Sequence, residues 1–434
     1  MKVKKDKVKL ITLGCSKNLV DSEHIIAQLK SNDIEIVDDE EKCETVIVNT
    51  CGFIEEAKQE SINTILRAVK RKNEGKLKNV YVAGCLSDRY KPDLEKEIPE
   101  VDKYFGATDK QHTITGILNE LGVDYKSNLL GERAVSTPSH FAYLKISEGC
   151  NNPCSFCAIP IMRGKHVSKP LKDILIEAQK LASKGVKELV VIGQDTTYWG
   201  FDTEKKRMLA TLLEELSKIN GIEWIRLMYA YPSRFPEDVI NVIRDTDNIC
   251  KYIDIPIQHI SDNVLRSMRR GITKKNLISL LDRLRSEIPG IAIRTTFIVG
   301  YPEETEKDFN ELLEYVREFK FDRLGVFPYS HEDGTYAANL DDKIPYKEKR
   351  LRQKLILDAQ RQNSIEANNM LTDQILKVVV DREENDYYIG RTYRDAPEID
   401  QEVFIGNNGG LEIGEFYDVR VIDSEEFDLF AQKI

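Results

Sequence analysis

The stretch EGCNNPCSFC, Glu148–Cys157, sets three cysteines at spacings of four and three: Cys150, Cys154 and Cys157. Thiolates in such a pattern bind zinc or iron–sulfur clusters. A closed tetrahedral site needs four ligands, and no fourth cysteine follows. The paired Cys-x2-Cys arms of zinc sites do not fit, nor does the four-cysteine run of bacterial ferredoxins. Two readings stand on these residues. One is a three-cysteine zinc site completed by His166 or water. The other is an iron cubane with one iron left open, as catalytic metal sites leave a position open. Phe156, between the last two cysteines, would shield such a cluster from water and tune its potential.

The loop heads an alternating β/α region. FAYLKIS runs into it, and the strand-like runs ELVVIGQD, WIRLMYAYP, YIDIPIQH, IAIRTTFIVGYPEET and RLGVFPYSHEDGT follow, separated by helical runs. Six βα units predict a barrel or partial barrel with active-site loops at the strand carboxyl ends. Upstream, VKLITLGC, TVIVNTC and NVYVAGC are short apolar runs that end at Cys15, Cys51 and Cys85. Helical patterns follow them, such as FIEEAKQESINTILRAVKRK with apolar Ile54, Ala57, Ile62, Ile65, Leu66 and Val69. Strands alternating with helices predict a parallel sheet, whose ligands gather at the strand carboxyl ends. In such a sheet the three thiols share one edge.

Tyr125–His140 is polar, with Gly and Pro, and reads as a linker. A charged helix is expected near Tyr346–Leu371. The tail beyond it has short runs of β character (QILKVVV, YYIGRTY, EVFIG, FYDVRVID, FDLFAQKI) and predicts a small antiparallel barrel. The fold class is therefore α/β with three parts: a parallel-sheet domain at 5–122, a (β/α)6-type partial TIM barrel at 136–368, and a small β-barrel at 369–434.

Composition narrows the function classes. The chain has 434 residues, 41% of them hydrophobic, enough for several packed cores. No run approaches 18 apolar residues, so no membrane span is expected. The basic start lacks the apolar stretch and cleavage site of a signal peptide, which points to the cytosol. There, eight cysteines suggest metal or redox chemistry rather than disulfides. Cys43 and Cys250 fit neither trio and read as ordinary small residues. The net charge of −10 is uneven: from Thr372 onward there are 6 Lys+Arg against 16 Asp+Glu, and the rest of the chain is balanced.

CNNPCSFC after a strand resembles the signature of the radical S-adenosylmethionine superfamily. The resemblance implies that the open iron binds the amino and carboxylate groups of S-adenosylmethionine, and that reductive cleavage gives a 5′-deoxyadenosyl radical. It implies that Gly193, Gln194 and Asp195 lie near the cosubstrate's amino group. Gln258 and His259 would lie near its ribose, and Ile298 and Gly300 against adenine. Members that also carry the amino-terminal trio are methylthiotransferases, in which three cysteines bind a second 4Fe–4S cluster. This resemblance assigns that cluster to Cys15, Cys51 and Cys85, with an open iron where an exogenous sulfur binds and is methylated. Two S-adenosylmethionine molecules, a sulfur source and a flavodoxin- or ferredoxin-type reductant are implied. The terminal barrel resembles the TRAM type.

Two groups share this architecture. One modifies an adenosine of transfer RNA (MiaB-type), the other the β-carbon of an aspartate in small-subunit ribosomal protein 12 (RimO-type). An acidic barrel repels RNA, whose binding rests on phosphate neutralisation, and attracts a basic ribosomal protein. The plainer reading of that acidity is a solvated face. IPIMRGKHVSKP (Ile159–Pro170), IGQDTTYWG and GRTYRDAPEIDQEVFIG resemble the ribosomal-protein group, and Asp195 stands where the RNA group usually has Asn. Arg163 and Lys165 read either as positioning a carboxylate near the radical or as partners of surface acids. A non-catalytic cluster carrier is the alternative outside the enzymes.

Overall fold

The computed structural model describes residues 7–407 and 410–434; the boundary expected at residue 5 lies outside them. The chain divides into two compact units. One comprises residues up to 136, 143–151 and 158–180; the other comprises 137–142, 152–157 and 181–434.

The first unit is built on a five-stranded sheet of order β2-β1-β3-β4-β5. Its strands are β1 (Lys7–Thr12), β2 (Glu35–Ile36), β3 (Thr45–Thr50), β4 (Asn79–Gly84) and β5 (Lys103–Tyr104), all paired in parallel. Helices α1 (Ser16–Ser31), α2 (Glu55–Asn73), α3 (Cys85–Glu97) and α4 (Lys110–Glu120) return the chain. Every residue of β3 is buried, as a strand covered on both faces requires. Successive side chains leave it on opposite faces. Val46 and Val48 join Ile65 and Val69 of α2 in one core, while Ile47 joins Ile25 and Leu29 of α1 and Ile117 of α4 in the other. Leu66, beside Ile65 on α2, lies off the buried stripe and is exposed.

The expected linker is pinned in place. Arg133 is buried, with Nε 2.8 Å from Glu23 and Nη1 2.8 Å from Glu177, both also buried. Ser136 donates its amide and hydroxyl to the same Glu23 carboxylate. Also in this unit are a ribbon of β7 (Ser147–Glu148) and β8 (Val167–Ser168), paired antiparallel, and a short helix α5 (Ile159–Arg163).

A second sheet has the order β13-β12-β11-β10-β9-β6. Its strands are β6 (Phe141–Lys145), β9 (Glu188–Ile192), β10 (Trp224–Leu227), β11 (Ile249–Asp254), β12 (Ala292–Val299) and β13 (Arg323–Pro328). Spatial order follows chain order, the simple winding of a partial barrel. β9 through β13 pair in parallel. The helix Tyr346–Asn369 is held by polar hooks rather than an apolar stripe. Gln353 donates to Val326 O at 2.7 Å, Gln360 to Phe321 O at 2.8 Å and Asn363 to Val316 O at 2.8 Å.

The tail closes into a barrel of order β14-β15-β16-β18-β17. These strands are β14 (Ile375–Glu384), β15 (Tyr387–Thr392), β16 (Val403–Gly406), β17 (Phe416–Ser424) and β18 (Leu429–Lys433). Its core includes Val378, Val380, Val403, Ile405, Val419 and Val421. Four seams are antiparallel and one, β16 with β18, is parallel. The parallel seam is a consequence of number: five strands cannot alternate direction all the way round a closed ring. Buried ion pairs join this barrel to the second sheet. Arg391 meets Glu188 at 2.8 Å, Arg323 Nε meets Asp395 at 2.7 Å, and Arg294 meets Asp400 at 3.2 Å.

Candidate functional site

β1, β3 and β4 are neighbours in one parallel sheet, so their carboxyl ends share an edge. Cys15 caps α1, Cys51 directly follows β3, and Cys85 opens α3. Each cysteine is flanked by a glycine for a steric reason. A Cβ on Gly14 (φ +87°) would lie 2.6 Å from Cys51 Cβ and 2.8 Å from its Sγ. One on Gly84 (φ +98°) would lie 2.4 Å from Thr50 O, and one on Gly52 2.8 Å from Leu86 Cα. The strand ends therefore approach with no side chain between them.

Asn18, fully buried, ties this edge together. Its Nδ2 donates to Leu13 O and to Thr50 O, each at 2.9 Å. Ser61 Oγ holds the Cys51 loop, accepting from Cys51 N at 3.0 Å and donating to its carbonyl at 2.9 Å. Cys15 is exposed, whereas Cys51 and Cys85 are buried. Burial raises the Cys51 pKa and pushes Cys85 up to about 12. A thiol so buried keeps its proton until a metal group displaces it. The nearest cation is Arg163, 4% exposed, whose Nε lies 3.1 Å from Cys85 Sγ. Arg163 is thus buried, while Lys165 is exposed.

The second trio lies on the loop after β6. In the first unit, Cys150 N donates to Gly164 O at 3.2 Å, and a Cβ on Gly149 would strike Lys165 O. In the second unit, Cys157 N donates to Cys154 O at 3.2 Å, so these two cysteines share a turn. Ser155 at its apex is held by Met268 O, Ala337 N and Tyr301 Oη. Arg270 Nη1 lies 3.2 Å from Cys154 Sγ and Tyr231 Oη lies 3.6 Å from it.

The residues expected around the cosubstrate separate into two sets. Asn152 of the cysteine loop donates to Asp195 Oδ2 at 2.8 Å. The other Asp195 oxygen caps the turn Thr196–Tyr198. Gly193 and Gln194 lie between β9 and this Asp195. Gln258 takes φ +74° and bridges β12: its amide donates to Thr296 O and its carbonyl accepts from Ile298 N. Phe156 and Ile298 pack against the same cluster of Tyr301, Tyr329 and Met268. Cysteine loop, Asp195, Gln258 and Ile298 are thereby linked. At Gly300 a Cβ would meet Lys349 Cγ at 2.3 Å, and the amide donates to Glu304. His259 is fully buried, and burial lowers its pKa to about 3.

Several of these residues carry no spacing signal. Asn18 is visible in retrospect as one turn beyond Cys15 on α1, but Asn152, Tyr231 and Arg270 are brought to the cysteine loop only by the fold.

Both trios fit iron–sulfur clusters in donor chemistry. The amino-terminal edge offers three cysteines at glycine-flanked strand ends. The cysteine loop stands beside Gln258, whose Oε1 is buried without a hydrogen-bond partner. Among the described residues, no three His, Cys, Asp or Glu side chains converge on a single ion, and thiols around a polyatomic cluster stand wider apart than that. His166 Nε2 lies 3.1 Å from Ser168 Oγ.

Three family models match the chain, in order along it. The model of uncharacterized protein family UPF0004 matches residues 7–106, that of the radical SAM superfamily 144–316, and that of the TRAM domain 374–434. The ribosomal protein uS12 methylthiotransferase RimO of Christiangramia forsetii is 51% identical over 433 residues, covering 100% of this chain and 95% of the relative. That of Bacteroides fragilis is 51% identical over 436 residues, covering 100% of both chains. Among solved structures, the radical S-adenosylmethionine methyltransferase TsrM from Kitasatospora setae, with cobalamin and a [4Fe-4S] cluster bound, aligns at a TM-score of 0.57 and 14% identity over 77% of each chain. The cobalamin-dependent enzyme OxsB aligns at 0.54 and 13% identity, covering 82% of this chain and 56% of that one. These two share the fold. Half-identity from end to end, with the three family matches in order, places the chain in the RimO methylthiotransferase family of the radical S-adenosylmethionine superfamily.

Proposed function

We propose that this enzyme adds a methylthio group to the β-carbon of an aspartate in ribosomal protein uS12, with Cys150, Cys154 and Cys157 holding one 4Fe–4S cluster and Cys15, Cys51 and Cys85 the other. It is a radical S-adenosylmethionine methylthiotransferase whose cofactors are 4Fe–4S clusters and S-adenosylmethionine. When bound, these supply reductive cleavage of the sulfonium and an open iron at which sulfur is held. The observation that carries the reading is the full-length 51% identity to uS12 methylthiotransferases in a chain that keeps both cysteine trios.

The protein's own residues position and exclude. The Asn152–Asp195 bond fixes the cysteine loop against the end of β9. Phe156 and Ile298 present apolar surface next to it, and Gln258 Oε1 offers an acceptor with nothing yet to accept from. Such pre-set groups orient a reactant at little further entropic cost.

The barrel supplies docking. Asp381, Asp395 and Asp400 are consumed by internal pairs, yet Glu383, Glu384, Asp386, Glu398, Glu412, Asp418, Asp423 and Glu425 remain exposed. Beside the first three, Tyr387, Phe404 and Phe430 form an outward aromatic group, with Phe404 and Phe430 stacked at 5.4 Å. An aromatic patch rimmed by acids suits a basic protein and repels a polyanion such as transfer RNA. The work is done in the cytosol, beside ribosomes, with a flavodoxin- or ferredoxin-type protein as electron donor. No described helix is long and apolar enough to cross a membrane.

Mass spectrometry of ribosomal proteins and transfer RNA from cells lacking the gene tests this. The expected result is uS12 lighter by about 46 Da, the mass of S and CH2, with transfer RNA unchanged. Unmodified adenosine together with fully modified uS12 would refute it.

A further inference from the structure

The interior around Cys85 holds four charged side chains in addition to the trio. Lys145 and Arg163 face Asp21 and Glu148, and all four lie within the first unit. Arg163 Nη1 donates to Asp21 Oδ2 at 2.7 Å and to Glu148 Oε2 at 3.2 Å. Lys145 Nζ donates to the same two carboxylates, to Glu148 at 2.7 Å. Arg163 Nη2 donates to Asn18 Oδ1, the residue that ties the Cys15 and Cys51 strand ends. That leaves Nε, which donates to Cys85 Sγ at 3.1 Å.

The pairing does more than neutralise charge. Two cations against two anions already balance, so burial of this set does not need Cys85. A guanidinium is planar, and its fork is fixed once two of its nitrogens are held. Asp21, Glu148 and Asn18 hold both terminal nitrogens, which aims the Nε–H bond at the sulfur. Lysine, with a rotatable point charge, could balance the carboxylates but could not be aimed in this way.

We propose that Arg163 is a positioning residue for the amino-terminal cluster: its Nε–H bond to Cys85 draws charge from the ligating thiolate and raises that cluster's reduction potential. Hydrogen bonds to ligand sulfurs, net charge and burial are the levers by which a protein sets such potentials. Of these levers the set supplies the hydrogen bond: its charges sum to zero, Arg163 cancelling one of the two carboxylates beside Cys85, and burial leaves the Nε–H to sulfur bond unscreened. The inference rests on the reading that Cys15, Cys51 and Cys85 hold a cluster. It adds what the family likeness does not supply, a residue outside the trio that sets its electronic state.

The test uses the full chain with Cys150, Cys154 and Cys157 changed to alanine, so that any reconstituted cluster is the amino-terminal one. Iron content is measured, then a redox titration follows the electron paramagnetic resonance signal of the reduced cluster. The parent, Arg163→Lys and Arg163→Gln are compared. In Arg163→Gln the one-electron reduction equilibrium is expected to fall about tenfold, about 59 mV, with Arg163→Lys in between. A midpoint unchanged in Arg163→Gln overturns the proposal. Should Arg163→Gln take up no iron, Arg163→Lys decides: a bound cluster with a lowered midpoint supports the proposal, and no iron or an unchanged midpoint overturns it. A parent that binds no iron despite an intact Arg163 refutes the cluster placement itself, a failure distinct from the other.

Discussion

Gly14 shows how much of the amino-terminal site is fixed by what is absent. Its positive φ and the 2.6 Å approach to Cys51 Cβ leave no room for a methyl group. Gly14→Ala must move the Cys51 strand end, at a strain cost of about 1–3 kcal/mol. The expected outcome is a folded chain that retains about four of about eight irons after anaerobic reconstitution. Retention of the full complement would mean the edge yields. His259 gives a pH dependence with a definite sign. Burial lowers its pKa from 6.5 to about 3, so the unfolded chain takes up the proton first as pH falls. The stability conferred by the neutral ring is whole above about pH 6.5. It drains between there and about pH 3, at up to about 1.4 kcal/mol per pH unit. Urea unfolding of cluster-free protein between pH 7 and 5 should show that slope, and His259→Gln should lose it.

The segment Thr392–Asp400 joins barrel to sheet through buried charge. Asp395 meets Arg323, accepts from the Thr392 hydroxyl at 2.7 Å, and is 2% exposed. Asp395→Ala leaves Arg323 buried without its carboxylate, and a loss of about 3–5 kcal/mol is expected in equilibrium unfolding. A change below about 1 kcal/mol would place the pair among those that contribute little. The pairing of this segment leaves no trace in the sequence pattern. Strands that run apolar into a cysteine were legible, because burial on both faces forces continuous apolar runs and the cysteine stands just past the end. β2 and β5, two residues each, carry no periodicity to detect. The helix Tyr346–Asn369 was legible as a helix, but its buried face was hidden because Gln353, Gln360 and Asn363 replace an apolar stripe. The acids of the tail could be counted, but only the fold tells Asp395, which is internal, from Asp386, which is exposed.

Charge on the whole molecule is therefore smaller outside than composition suggests, though its sign survives. Among the described residues of the tail, only Lys377, Arg420 and Lys433 stand exposed as bases beside the exposed acids. Reversal of Glu383, Glu384 and Asp386 to lysine should slow association with uS12 about tenfold at low salt. The difference should shrink as ionic strength rises past the point where the screening length drops below about 8 Å. Equal association rates for both proteins would move the docking surface off the barrel. Asp21 and Asn18 come from the first sheet's own helix, whereas Lys145, Glu148 and Arg163 come from chain that matches the radical SAM superfamily. The amino-terminal half is therefore no portable cassette. Cut free before residue 140, or grafted ahead of a foreign barrel, it would keep its three thiols and lose Lys145 and Arg163, the cations that Asp21 meets, so the two halves are bound to change together over evolutionary time.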